Sequence, residues 1–389
     1  MEKGDVVKRF RVPVATVDLS GNEEAYVADA LHSSWIASTG PYVARFESDF
    51  AARIGAASVI AVTNGTVALH LAMLAMGIVS GDEVVVPAFA YIAVANACRY
   101  VGARPVFADV DPRTWCIAAP TIEAAITPRT KAVVVVHNYG HPADMNPILE
   151  LTRARGLVVI EDAAEAFGAL YRGRPVGSFG DVATFSFYAN KIITSGEGGA
   201  VALRSRAQEA AIRQLRDHGM DPKRRYEFPV TGYNYRTTNV ACAILCAQLE
   251  RSEAILARRR ACFQAYRDRL ASVRGIGFQP VMDWATPAPW MFNVTVDAPA
   301  YGHTASELAG MLEEDGIETR PLFPSIHHQP PYRDEAARSG ARLPVTDQVS
   351  ASGLSLPSFT QLQRDSLEYV TSRVQRYSRR QSQHISKSV

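Results

Sequence analysis

Between residues 59 and 187 short apolar runs alternate with segments of helical spacing, and this alternation narrows the possible folds more than any other feature. VIAV (59–62), EVVVP (83–87), RPVFADV (104–110), KAVVVV (131–136), LVVIED (157–162) and DVATFSF (181–187) are short and valine-rich, as buried strands are. Between them VALHLAMLAMG, AVANACRYVG and NPILELTRARG repeat apolar residues at helical spacing. The alternation predicts an α/β fold with a mostly parallel central sheet covered by helices on both faces. AILCAQLERSEAILARRRACFQAYRDRL (243–270) predicts one long helix leading into a second domain. Beyond it come FNVTV (292–296), a helical SELAGMLEEDG (306–316), a Pro- and His-rich loop (320–332) and a last helix near 360–377. The expected division is a large α/β domain over 1–260 and a smaller C-terminal α+β domain over 261–389. The basic tail RVQRYSRRQSQHISKSV (373–389) reads as a solvated, partly disordered end.

A formal net charge of +2 gives no strong pull towards nucleic acid or an anionic membrane. The cysteines at 98, 116, 242, 246 and 262 form no CxxC pair and no Cys/His cluster, so no metal is expected and the thiols read as reduced. No apolar run approaches a membrane span and the N-terminus has no apolar signal core, so a soluble cytoplasmic protein is expected. GxxxxGK[ST], HExxH, GxSxG and a helix-opening GxGxxG are all missing, which removes the usual signatures of nucleotide hydrolysis, zinc proteolysis, serine hydrolysis and dinucleotide oxidoreduction.

Four strand ends remain. In VIAVTNGTVALHL (59–71) a Thr-Asn-Gly-Thr turn opens a helix, which suits a phosphate or is simply a start capped by Thr63 or Asn64. In VPAFAYIAVANA (86–97) Phe89 or Tyr91 could stack on a flat cofactor or pack in the core. Asp162 ends an apolar strand in LVVIEDAAEAFGA, where a carboxylate needs a cationic partner or caps the next helix. Lys191, in FSFYANKIITSGEGG (185–199), is either a solvated charge or an amine that forms a Schiff base. A phosphate cradle, a stacking ring, a carboxylate for a ring nitrogen and a lysine are together the parts that pyridoxal phosphate requires.

These motifs, with WIASTGPYVARFE (35–47), VHNYGHPADM (136–145), GYNYRTTNVACAILCAQLE (232–250) and RPLFPSIHHQPPY (320–332), resemble the DegT/DnrJ/EryC1/StrS family of sugar aminotransferases. The likeness runs from about residue 12 to 359, and within the family it points to the 4-keto-6-deoxysugar aminotransferases. It implies the aspartate-aminotransferase-like fold (fold type I) and pyridoxal 5'-phosphate, with pyridoxamine phosphate between half-reactions. By the same resemblance Lys191 would carry the cofactor as a Schiff base and move the proton, and Asp162 would pair with the ring nitrogen. Glu165 would lie near the ring hydroxyl, Tyr91 would stack on the ring, and Gly65, Thr66 and Ser186 would hold the phosphate. Asn234 would reach the phosphate in a neighbouring subunit, which implies a homodimer with shared sites. Ala90 and Thr237 depart from the family's usual Thr and Met.

The implied reaction moves the amino group of L-glutamate to a nucleotide-linked keto-deoxysugar, GDP-4-keto-6-deoxymannose or a dTDP-4-keto-6-deoxyhexose. Trp35, Ser38, Thr39 and His327 align with sugar-pocket stretches; His327 could equally pack its loop. Arg224 and Arg225, beside Lys223, could meet a diphosphate or form a solvated charge run. Three other readings are a keto-cyclitol or 3-keto-sugar aminotransferase, a dehydratase of the same fold, which Lys191 opposes, and a cofactor-binding regulator without catalysis. The last would need a DNA-binding helix pair or basic arm, and none is evident beyond the tail.

Overall fold

A computed structural model describes residues 10–340 and 342–379. Its central sheet has seven strands: β1 (Ser58–Val62), β2 (Glu83–Pro87), β3 (Arg104–Ala108), β4 (Thr130–Val136), β5 (Val158–Asp162), β6 (Val182–Ser186) and β7 (Gly199–Leu203). Across the sheet they run β1-β7-β6-β5-β4-β2-β3. The pairs β2/β3, β2/β4, β4/β5 and β5/β6 are parallel, whereas β7 lies antiparallel between β1 and β6. The mostly parallel sheet expected from the alternation is therefore present. Strand β7 was not expected, because GAVAL is short and follows a glycine-rich turn that hides its periodicity.

Alternate residues of each strand face opposite layers. Ile60, Val62, Val134, Ile160, Val182 and Val201 pack under helices α2 (Gly65–Ala75), α3 (Ala93–Tyr100) and α5 (Glu209–Arg216). Ala61, Val133, Val159, Ala183 and Ala200 pack against α1 (Pro41–Ile54), α4 (Met145–Ala154) and α6 (Asn239–Glu250). Phe50 of α1 centres an aromatic cluster, its ring centroid 5.6 Å from Phe167, 4.9 Å from Phe185 and 5.3 Å from Phe187. That cluster seats the strand from which Lys191 follows.

A second, antiparallel sheet joins β8 (Ile276–Phe278), β9 (Phe292–Val296), β10 (Arg320–Pro321) and β11 (Gly353–Leu356) in the order β8-β9-β11-β10. Tyr266 and Leu270 of α7 (Ser252–Leu270) pack on it with Leu308 of α8 (Ala305–Glu314) and Val370 of α9 (Arg364–Arg379). Val12 also enters this core, its N–H donating to the Gly316 carbonyl at 3.1 Å.

Two expectations need correction. The long helix over 243–270 is two helices, α6 and α7, because Arg251 leaves the helical region (φ −105°, ψ 11°) and its guanidinium bonds the Asp18 carboxylate at 2.8 Å. Unbroken apolar periodicity cannot reveal a one-residue break made by a remote partner. The basic tail is not wholly solvated either. Residues 373–379 continue α9, with Val374 fully buried and the Tyr377 hydroxyl 2.6 Å from Asp315 Oδ2. The rest of that tail, 380–389, lies outside the described residues. All five cysteines are unpaired, and four are buried in the packing.

Candidate active site

Parallel strands deliver their carboxyl ends to one edge of the sheet, where open α/β folds bind ligands. Here the residues at or after the ends of β1, β2, β4, β5 and β6 line one cavity of about 770 Å³, closed on the other side by Trp290, Arg320 and Phe323 near the small sheet.

At one end of the cavity lies the start of α2. Asn64, extended at φ −166° and ψ 172°, accepts the Val67 N–H at 3.0 Å. No protein acceptor meets the N–H groups of Gly65 and Thr66 among the described residues, and both residues line the cavity. A Cβ at Gly65 would lie 2.9 Å from Ser186 Cβ, so glycine is what lets the helix start sit against β6. Two free N–H groups at a helix start, with the Thr66 and Ser186 hydroxyls, form a cradle for an anion.

At the other end three ionisable side chains converge. Asp162, the last residue of β5, is 7% exposed, and its Oδ1 accepts the Ala164 N–H at 3.0 Å. Glu165 Oε2 accepts the Tyr139 N–H at 2.6 Å. Lys191 sits in the turn after β6, its Nζ 3.7 Å from the centroid of the Trp290 ring. Trp290 is fixed in turn by its own N–H, which donates to the Asn190 carbonyl at 3.0 Å. Burial raises the Asp162 carboxyl, opposed by the Ala164 N–H, Lys191 and His137. Burial also pushes Glu165 up to about 7, against the pull of Lys191 and the Tyr139 N–H. The same burial pushes the Lys191 amine down, against the two carboxylates. Each group is driven towards neutrality, so a bound cationic N–H beside Asp162 would relieve an unfavourable arrangement. Asn190 Oδ1, also at the cavity, is buried without a partner. An anion cradle, a buried carboxylate, a buried amine and an unused polar atom fit pyridoxal phosphate.

Gly65, Thr66, Tyr91, Asp162, Glu165, Ser186 and Lys191 all line this cavity. Tyr91 is 60% exposed at its rim, with its ring centroid 5.8 Å from that of Phe323. The other expected residues are elsewhere in the single chain. Asn234 is exposed in a bridge to Asp217. Trp35 and Thr39 are exposed and Ser38 is half-buried, and none of the three lines the cavity. Arg224 pairs with Asp221 and Glu227 at 3.2 and 2.8 Å, and Arg225 lies 5.0 Å from the Tyr226 ring. His327 is buried outside the cavity, its Nε2 3.2 Å from Asp347 Oδ1 and beside His328.

Several lining residues were given no role by the sequence. Tyr139 stacks between Phe323 and Trp290, with centroids 4.9 and 5.7 Å away. Trp290 comes from a segment a hundred residues beyond Asn190, and nothing in its neighbours singles it out. Arg320 was visible only as part of a motif without an assigned role.

Comparison with known proteins agrees with this geometry. The model of the DegT/DnrJ/EryC1/StrS aminotransferase family matches residues 17–375. The chain is 45% identical over 361 residues to a GDP-perosamine synthase of Caulobacter vibrioides, covering 92% of this chain and 96% of the relative. It is 40% identical over 359 residues to a GDP-perosamine synthase of Escherichia coli O157:H7, covering 92% and 96%. Among solved structures it is similar to DesI, crystallised in the presence of its TDP-sugar product, with a TM-score of 0.88 and 31% identity over 98% of this chain and 96% of that one.

Proposed function

Because this chain belongs to the DegT/DnrJ/EryC1/StrS aminotransferase family, we propose that it transfers the amino group of L-glutamate to the C4 ketone of a nucleotide-linked 4-keto-6-deoxysugar, GDP-4-keto-6-deoxymannose first. L-glutamate leaves as 2-oxoglutarate and the ketone becomes an amine. The observation that carries the reaction class is the buried Lys191 amine converging with Asp162 and Glu165 across the cavity from the α2 anion cradle. The sugar is supported by the identity to GDP-perosamine synthases.

Bound pyridoxal phosphate supplies an electron sink and carries the amino group between donor and acceptor. Lys191 Nζ would hold the cofactor and, as a free amine, would move the proton at the donor's α-carbon. The Asp162 carboxylate would accept the ring N–H and keep the ring protonated. Glu165 would lie near the ring hydroxyl. The N–H groups of Gly65 and Thr66 and the hydroxyls of Thr66 and Ser186 would bind the phosphate, and Tyr91 would cover the ring.

The same reading makes the active form a homodimer in which Asn234, Arg224 and Arg225 serve the partner's cavity. It is supported by the apolar side chains exposed around residue 35 and beside Arg225: Trp35 (50%), Ile36 (51%), Tyr226 (73%) and Phe228 (52%). A cytoplasmic location accords with five unpaired thiols. Among the described residues no helix is long and apolar enough to cross a membrane.

The test is an amination screen with L-glutamate against GDP- and dTDP-4-keto-6-deoxysugars and a keto-cyclitol, with products identified by mass and NMR. Turnover confined to GDP-4-keto-6-deoxymannose is the expected result. Turnover of the keto-cyclitol alone, or none with a cofactor-loaded protein, overturns the substrate.

A further inference from the structure

Behind Asp162, on the other face of the same strand, lies a pair of ionisable side chains that the transfer chemistry does not use. Glu161 and His137 are both 0% exposed. Successive strand residues point to opposite faces, so Glu161 points away from the cavity that Asp162 lines. Glu161 Oε1 accepts the N–H groups of Phe179 and Gly180, each at 2.6 Å. Its Oε2 accepts the Gly177 N–H at 2.8 Å and lies 3.1 Å from His137 Nε2. The Ala143 N–H donates to His137 Nδ1 at 3.0 Å, which leaves the ring proton on Nε2, facing Glu161. Burial alone would raise the Glu161 carboxyl, yet His137 and these N–H groups hold it below the usual carboxylate range. The turn that wraps it needs glycine. Gly177 is at φ +85°, and a Cβ at Gly180 would meet the Val159 carbonyl oxygen at 2.8 Å.

His137 also reaches the site through its backbone. Its N–H donates to the Asp162 carbonyl at 3.1 Å. Two residues on, Tyr139 adopts φ +52°, a costly conformation for a tyrosine, and its N–H bonds Glu165 at 2.6 Å. One short turn, 137–140, thus touches both residues that supply carboxylates to the cavity, and the His137–Glu161 contact ties that turn to β5.

We propose that His137 and Glu161 are positioning residues of the cofactor site. Anchored by the 177–180 turn, the pair holds the end of β5 and the 137–140 turn in the register that aims Asp162 at the cofactor's ring nitrogen and Glu165 at its ring hydroxyl. This rests on the cofactor and on the role given to Asp162, and not on the identity of the sugar. Asp162 itself is faced by Lys191, Glu165 and His137, so those are the titratable groups its displacement would be read against.

Glu161→Gln and His137→Leu, each in the cofactor-loaded protein, test the pair without any sugar present. Three quantities are measured: the pyridoxal phosphate dissociation constant, the pH midpoint of the bound cofactor's visible band, and the melting temperature. An aligned Asp162 keeps the ring nitrogen protonated, and that positive charge lowers the basicity of the nitrogen joining cofactor and lysine. A displaced Asp162 therefore raises the midpoint, by about one pH unit. Affinity is expected to fall about 10- to 100-fold, the range that supporting partners carry at metal sites. If both variants melt earlier but keep the parent's midpoint and affinity, the pair merely braces the fold and the proposal fails. If Glu161→Gln does not fold, His137→Leu decides alone, since it keeps the backbone N–H to Asp162. A parent without a visible band would remove the premise, whereas failure of the sugar assignment leaves all three measurements unchanged.

Discussion

Glu165→Gln isolates the cost of one buried charge in the cofactor-free protein. In the folded chain burial, only partly compensated by Lys191 and the Tyr139 N–H, pushes the Glu165 carboxyl up from 4.5 to about 7. The folded state holds this proton more tightly than the unfolded one, so the contribution to stability is full below pH 4.5. It is lost as pH rises and levels off above about 7. At 1.36 kcal/mol per pH unit, the difference between about 7 and 4.5 corresponds to about 3 kcal/mol. Glutamine has no proton to lose, and its side-chain oxygen can still accept the Tyr139 N–H. Some of the gain is offset because Lys191 loses a neighbouring countercharge. The cofactor-free variant should therefore be about 1–3 kcal/mol more stable than the parent at pH 8 and within about 1 kcal/mol of it at pH 5. Urea unfolding of both proteins at pH 5, 6, 7 and 8 measures the difference. A difference that does not change with pH, or a variant less stable than its parent at pH 8, would refute the reasoning.

Other substitutions probe other parts of the structure. Lys191→Ala keeps the phosphate cradle and Asp162, so pyridoxal phosphate should still bind. Turnover should fall by at least about 10²–10⁴ and the visible band should vanish, both read spectrophotometrically; normal turnover would remove Lys191 from its role. Among the described residues Arg320 is the one arginine lining the cavity, and its Glu318 partner is 3.4 Å away. Arg320→Gln should lower kcat/KM for an anionic substrate about tenfold, with less loss at high salt, while cofactor affinity stays unchanged. Phe50→Ala opens the aromatic cluster behind β6 and should cost about 3–5 kcal/mol in denaturant unfolding, with the cofactor band of the remaining folded protein unaltered.

Much of the cavity wall could be read from local pattern, and the reason is topological. In a parallel sheet every strand ends at the same edge, so residues that terminate apolar runs, such as Asp162 and the Asn64-Gly65-Thr66 turn, gather there even when far apart in sequence. Residues that come from the small sheet or from irregular turns escaped this logic. Tyr139 and Trp290 were hidden because their contacts depend on how a turn and a distant segment pack. Trp35, Ser38, Thr39, Asn234, Arg224, Arg225 and His327 stand outside the cavity of the single chain. For Asn234, Arg224 and Arg225 the proposed role lies in a partner's cavity, an arrangement on which local sequence periodicity carries no information. The break at Arg251 was invisible for the same reason, since its guanidinium is held by Asp18 from across the fold.

By itself the sequence determined the layered α/β architecture, the pairing of an anion-binding helix start with Asp162, and the lysine that follows β6. Those features follow from short-range physics: the two-residue period of strands, the unpaired N–H groups of a helix start, and the cost of burying a carboxylate alone. Only the tertiary structure decided how the charges are held. It set Lys191 over Trp290 and pushed Glu165 up to about 7. It also pinned Glu161 with His137 and three backbone N–H groups behind Asp162. Burial, dielectric and hydrogen-bond partners are properties of the packed chain, because each depends on atoms that sequence neighbours do not supply.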